Sequence, residues 1–355
     1  MELKLTPFDK TRDLNKQREL FKDCFPETNG GTIQGNDHYN WKFHSFPLKT
    51  TSWEYAAYIG QEIVGYYAAL PYQYKIGSKV TPVGMVCDVM TSSKYRGKGI
   101  FTKMGSYATS ELSKSVPFTI GYPIRKEVLP GHLKVGWNNP FCLPLYIKFY
   151  RLNSFLRSKK IEFLAPFANL FLNVFNGIVK SRGNKKYSYS LFNKIKKIQD
   201  YDSFVQEWSK TVRNSLVKDS TFARWRYSAP EREYKFLVVR NKEKKTVGFV
   251  SFRKIVKEGI PSFGILDYMV LPDHKGCHGL INKVLQKCAR EDGVEAVMTM
   301  MSRTSASKYK LMQNGFLKSP FVFKLIIKDL GAGFSNDELF EEKNWHLMWV
   351  DSDDL

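Results

Sequence analysis

The chain repeats itself at long range, and that limits it to folds built from two copies of one module. Asp37-His38-Tyr39-Asn40-Trp41-Lys42-Phe43 is closely followed by Pro47, and residues 219–230 carry Trp225-Arg226-Tyr227 and end in Pro230. Trp41 and Trp225 are 184 positions apart. After each come two β-rich runs broken by turn residues: 55–59 and 63–70 around Gly60-Gln61-Glu62, then 236–240 and 246–252 around 241–245. A further strand then enters a glycine turn and a helix. Residues 85–91 lead to Arg96-Gly97-Lys98-Gly99 and a helix over 100–112; residues 265–271 lead to Lys275-Gly276-Cys277-His278-Gly279 and a helix over 280–290. Asp88 and Asp267, Gly97 and Gly276, and Gly136 and Gly315 are each 179 positions apart. These ordered landmarks predict two tandem α/β modules.

With 43% hydrophobic and 15% aromatic residues, 355 residues hold enough apolar material for packed cores, which excludes general disorder. Five scattered cysteines without C-x-x-C spacing argue against a disulfide framework and a zinc site, and the six histidines are dispersed, with only His274 and His278 standing four apart, so no catalytic metal is expected. The N-terminus has no basic start followed by an apolar run, so the expected compartment is reduced and cytoplasmic. The net charge of +21 attracts polyanions: a phosphate-rich cofactor, an anionic membrane face or nucleic acid, although no RNA-recognition motif is present. Expected domains are residues 1–150 and 198–330, a helical linker over 151–197 and a tail over 331–355 that packs back on the body. In the linker, 161–179 is apolar and 180–197 basic. Glu162, Pro166 and three asparagines argue against membrane spanning, and the apolar helix is expected to pack between the domains. The alternative is a helix lying on an anionic membrane surface, which would make the protein peripheral at the inner membrane face.

A diphosphate binds well where backbone N–H groups converge and a helix N-terminus adds its partial positive charge. A strand, Arg96-Gly97-Lys98-Gly99, and a helix opening at Ile100 supply that arrangement, with two cations where the anion would sit. The nucleoside-triphosphatase loop G-x-x-x-x-G-K-[ST] and the dinucleotide pattern G-x-G-x-x-G are both absent. Tyr95-Arg96-Gly97-Lys98-Gly99-Ile100-Phe101 resembles the acetyl-CoA pyrophosphate loop of the GNAT superfamily of N-acetyltransferases, [Q/R]-x-x-G-x-[G/A]. Arg96 and Gly99 match, and Phe101 stands where Gly or Ala is usual, a form similar to a paired-domain branch that includes Eis-like and polysaccharide-associated transferases. Gly136-Trp137 falls where the superfamily has its x-G-F helix end. The resemblance implies two domains, each a mixed, mostly antiparallel twisted sheet flanked by helices. It also implies acetyl-CoA as acyl donor, bound by Val89, Met90, Thr91, Arg96, Gly97, Lys98, Gly99, Ile100 and Phe101. In the second half an extra residue separates the glycines and His278 intrudes, so that copy is expected to be degenerate and structural.

Amine acetylation needs a neutral amine, a polarised thioester carbonyl and a proton for the leaving thiolate. The resemblance assigns carbonyl polarisation to a backbone N–H within 89–91. It assigns the proton donor to the residue four before Gly136, which is His132. Asp88, on the cofactor strand, either acts as base or ties down a neighbouring loop. Tyr122 either lines the acceptor pocket or, with Pro123, turns the chain. The Asp37/Trp41 and Asp219/Trp225 pairs occur in both halves and read as structural, a capping carboxylate beside an aromatic anchor. The expected function is transfer of an acetyl group to a primary amine of a small molecule, an amino sugar on the branch resemblance, in a ternary complex. Two alternatives share the architecture: a Fem-like peptidyltransferase that uses aminoacyl-tRNA, and a non-catalytic CoA-binding or membrane-docked scaffold. The sequence carries no signal of a homo-oligomer.

Overall fold

A computed structural model describes residues 2–28, 32–48, 50–178, 186–331 and 333–353. It forms two compact units that are discontinuous in sequence. The first comprises residues 1–142, 228–231 and 324–341, and the second 143–227, 232–323 and 342–355. The expected division at 150 follows motifs, whereas these units follow contacts, and each takes back a segment from the other half of the sequence.

The first unit runs β1 (Leu3–Pro7), α1 (Lys10–Cys24), α2 (Asn36–His44), β2 (Trp53–Ile59), β3 (Glu62–Ile76), β4 (Lys79–Thr91), α3 (Ile100–Leu112), β5 (Phe118–Gly121) and α4 (Leu129–Lys134). The Asp9 side chain starts α1 by accepting from the Thr11 and Arg12 amides at 3.0 and 3.4 Å. The expected hairpin at 60–62 is present, with Gly60 at φ +62 in the turn. In the sheet, β1 to β4 pair antiparallel in sequence order, β5 joins β4 in parallel, and the late strand Ile326–Asp329 pairs antiparallel with β5. One face, with Tyr55, Ala57, Tyr67 and Ala69, packs on Met104, Ala108 and Leu112 of α3. Gly65 allows that approach, because a Cβ there would lie 3.1 Å from Met104 Sδ and 3.3 Å from Ile100 Cγ2. The opposite face meets α1 and α2: Tyr58 donates to Asp13 at 2.8 Å, and Tyr66 packs edge-on to Phe43.

The second unit repeats this plan. Its strand order is Leu317–Lys324, Cys142–Phe149, Ala296–Met300, Ile260–Val270, Thr246–Lys257, Lys235–Arg240 and Ser188–Phe192. The pairing again changes from antiparallel to parallel after the fourth-strand counterpart Ile260–Val270, and a strand distant in sequence then pairs antiparallel. Both halves therefore fold as mixed sheets flanked by helices, as expected. Gly136 and Gly315 have the same left-handed φ of +83.

Two expectations are corrected. Asp219 does cap its helix, accepting from Phe222 N at 2.8 Å, but Asp37 is an exposed residue inside α2, whose cap is Gly35. The apolar linker forms the helix Ala165–Ile178 with its large apolar side chains exposed, so it does not pack into a groove. Of the basic stretch, residues 180–185 lie outside the described residues, and Ser188–Phe192 is a strand. The tail is divided: residues 331–341 belong to the first unit and 342–355 to the second, where Leu347, Met348 and Trp349 are fully covered, Trp345–His346 pairs in parallel with Asn214–Leu216, and Met348 bridges Met301.

Candidate active site

The turn between β4 and α3 is built for an anion. Gly97 and Gly99 have φ of +78 and +75; a Cβ on Gly97 would meet open space and one on Gly99 only Thr102 Oγ1 at 4.0 Å, so glycine is required for conformation. Gly99 is the helix cap and has no side-chain acceptor for the first-turn amides. Among the described residues, the amides of 97–102 have no backbone acceptor, and Arg96, Gly97, Lys98 and Gly99 are all exposed. Donors, helix terminus and cations thus converge on solvent. The turn is braced on both sides. Ser93 donates from its amide and hydroxyl to Asp23 at 2.9 Å each, and Tyr95 donates to Glu62 at 2.9 Å while Lys98 Nζ lies 5.0 Å from the Tyr95 ring centre.

The end of β4 opens beside this turn. Its parallel pairing with β5 covers only Gly84–Val86 against Thr119–Gly121, so residues 87–91 extend past the last paired rung. On the other side the register with β3 slips: Ala68 faces Cys87 but Tyr66 faces Met90, which leaves Asp88 and Val89 opposite Tyr67. Asp88 sits in this bulge at φ +48, a left-handed value that Asp tolerates better than most side chains. Successive strand amides point to opposite edges, so part of 87–91 presents N–H groups on the side that β5 leaves. Val89 and Thr91 are half-buried and Met90 is buried. The Thr91 carbonyl accepts from Cys24 Sγ at 3.4 Å. Tyr122, the residue after β5, is buried.

The two residues expected to share the chemistry are held by different partners. Asp88 Oδ1 is 2.9 Å from Lys42 Nζ, with both side chains largely buried. His132, in α4, is boxed edge-on by Phe101 (ring centres 5.1 Å apart) and Trp137 (5.3 Å). Burial pushes its pKa down to about 4, so at neutral pH the imidazole is uncharged and holds no extra proton to give. Phe101 has a specific seat: a Cβ on Gly131 would lie 2.5 Å from Phe101 Cε1.

The second unit's counterpart is closed. Gly276 has φ −66, and Gly279 lies within the helix Cys277–Glu291, so that turn has no left-handed glycine. His278 is buried and lies 2.9 Å from the Tyr268 hydroxyl. Asp267, the match of Asp88, has a side chain 1% exposed against 11% for Asp88, and it is held by Lys218 at 2.8 Å. The tail completes this cluster, with His346 3.6 Å from Asp267 and Asp351 3.6 Å from Lys218.

Sequence reasoning missed Lys42, because an ion pair spanning 46 positions leaves no local signal. It also missed Glu54, a largely buried carboxylate on β2 that accepts from the Tyr39 and Tyr66 hydroxyls and faces His44 at 3.3 Å. Glu54 breaks the apolar run 53–59, which was the available clue.

The profile of the acetyltransferase (GNAT) domain family matches residues 9–138. No curated protein sequence matches the chain. Among solved structures it is similar to a GCN5-related N-acetyltransferase from Anabaena variabilis (12% identity, 93% of this chain and 73% of that one, TM-score 0.66). It is also similar to Saccharomyces cerevisiae N-myristoyltransferase with bound myristoyl-CoA (11% identity, 92% and 80%, TM-score 0.61). A tandem GNAT protein from the clavulanic acid biosynthesis pathway matches over its whole length (14% identity, 94% of this chain, TM-score 0.59). The match to the acetyltransferase (GNAT) domain family thus covers residues 9–138, and the chain as a whole carries a fold similar to that of a tandem GNAT protein.

Proposed function

We propose that the chain is an N-acetyltransferase that takes acetyl-CoA at its first unit and passes the acetyl group to a primary amine of a small molecule. The observation that carries this reading is the exposed turn at residues 96–99, with two left-handed glycines, two cations and unengaged amides opening α3. Arg96, Lys98 and these amides would hold the cofactor's phosphates. Acetyl-CoA supplies a thioester whose carbonyl carbon a neutral amine attacks directly. Amides within 89–91, on the open edge of β4, donate to the carbonyl oxygen, where negative charge develops. Asp88, at the bulge, takes the proton that the attacking amine sheds, the C–S bond breaks, and coenzyme A leaves as a thiolate that takes its proton from water. His132, neutral at pH 7, serves with Phe101 as a wall of the site and is not the proton donor. The second unit binds no acyl-CoA, because its turn lacks the left-handed glycines and its counterpart of Asp88 is sealed by the tail.

The test is acetyl-CoA-dependent thiol release across a panel of amino sugars, aminoglycosides and polyamines. A long-chain donor is included because the fold also serves a myristoyl-CoA-binding enzyme. Release with at least one amine is expected, together with its loss in Gly99→Trp. In Asp88→Asn, turnover should fall while acetyl-CoA affinity is kept. No release from the wild type with any amine would overturn the reading.

A further inference from the structure

The helix Ala165–Ile178 is mounted the wrong way round for a soluble surface. A helix on a globular protein normally turns its apolar stripe inward and its polar residues to water. Here two of the helix's three asparagines face the protein, and only Asn173 is exposed. Asn169 accepts from the Leu152 amide at 2.9 Å and donates to Asn153 Oδ1 at 2.7 Å; Asn176, 6% exposed, donates to the Phe149 carbonyl at 3.0 Å. Seven residues apart, the two asparagines lie on one face and fix the rotation of the helix. The opposite face carries Phe167, Leu170, Phe171 and Val174, with Phe163 leading into it. Val174 is 55% exposed, and the other four lie between 66% and 75%. A row of aromatic and aliphatic side chains held outward by part-buried hydrogen bonds is a built feature, beyond the scattered exposed leucine of an ordinary surface.

The charge around it is equally one-sided. Residues 151–197 contain eleven lysines and arginines and one acidic residue, Glu162. Arg157, Lys159 and Lys160 precede the helix in sequence, and Lys180, Arg182, Lys185 and Lys186 follow it. No helix among the described residues is long and apolar enough to cross a membrane. Fourteen residues make a cylinder about 21 Å long, which suits a helix lying in the plane of a bilayer interface. A second copy of the chain is a poor occupant, since pairing these faces would bring two strongly cationic segments together.

We infer that this helix docks the protein on an anionic lipid surface, its phenylalanine and leucine side chains entering the acyl boundary while the exposed cations Arg157, Lys159 and Lys160 meet the headgroups. This goes beyond the acyltransfer reading and does not depend on it. The test is co-flotation of the full chain with vesicles of phosphatidylcholine plus phosphatidylglycerol, compared with phosphatidylcholine alone. The wild type should float with the anionic vesicles, and binding should weaken with added salt. Phe167→Ser with Phe171→Ser should lower partitioning about tenfold or more, because two exposed rings would no longer be buried in lipid. Both side chains are exposed, so melting temperature and acetyl-CoA binding should not change. Lys159→Glu with Lys160→Glu should abolish the preference for anionic vesicles. Wild-type protein left in the vesicle-free fraction would overturn the inference, as would a phenylalanine variant that floats normally. So would a chain that forms a dimer dissolved by the phenylalanine substitutions.

Discussion

Phe101 departs from the small residue usual in its loop, and the structure shows what accommodates it. Adding only a Cβ at Gly131 would bring that atom to 2.5 and 2.6 Å from two carbons of the Phe101 ring. The ring would have to withdraw by roughly 1 Å to regain van der Waals separation. It cannot move freely, because it stands edge-on to the buried His132 ring at 5.1 Å. Overpacking of this kind costs about 1–3 kcal/mol. In a unit of this size, Gly131→Ala should therefore lower the melting temperature by roughly 2–10 °C. The cost should be specific to the ring. Phe101→Ala removes the obstacle, so the double variant should be more stable than the sum of the two singles by about 1–2 kcal/mol. Because the displaced ring lies at the first turn of α3, Gly131→Ala should also weaken acetyl-CoA binding, and the double variant should regain part of it. Thermal melts and titrations of all four proteins form the cycle. Strict additivity, or Gly131→Ala as stable as the wild type, would refute the packing argument.

The bulge residue gives a second expectation. Asp88→Asn removes the carboxylate 2.9 Å from the buried Lys42 ammonium and should cost about 1–3 kcal/mol in thermal melts, with part recovered in Lys42→Met plus Asp88→Asn. The two glycine turns should answer differently to alanine: Gly97→Ala, at φ +78, should lose about 1 kcal/mol, whereas Gly276→Ala, at φ −66, should be neutral or slightly stabilising. Equal effects would mean that the two turns are conformationally alike. Acid should also test the buried histidines. Burial holds His132 and His278 near pKa about 4 against about 6.5 in the unfolded chain, so the unfolded state binds more protons between these values. Their contribution is complete above pH 6.5 and is lost as pH falls towards 4. His132→Gln should reduce the stability lost between pH 7 and 5 by about 2 kcal/mol in denaturant titrations. Identical pH slopes for variant and wild type would remove His132 from this account.

Much of the fold was legible because it is written twice. The constant offset of Asp88, Gly97 and Gly136 from their partners gave the duplication, and the glycine turn ending at Gly99 gave the start of α3. The segments that complete each sheet were not legible. Ile326–Asp329 pairs with β5, and Cys142–Phe149 pairs with Ala296–Met300, across separations that leave no local pattern. The phosphate turn could be read because its chemistry is contiguous. The environment of Asp88 and His132 could not, because Lys42, Phe101 and Trp137 come from separate elements. The helix Ala165–Ile178 was misjudged for a physical reason: an apolar face is ordinarily a buried one. The inward hydrogen bonds of Asn169 and Asn176 were the feature that reversed it.

The account rests on one functional acyl-CoA site, in the first unit. Isothermal titration of the full chain with acetyl-CoA tests it most directly. One site per chain is predicted, lost in Arg96→Glu and in Gly99→Trp, and unchanged by Gly276→Ala. Two sites, none, or a single site that survives both first-turn substitutions would contradict it.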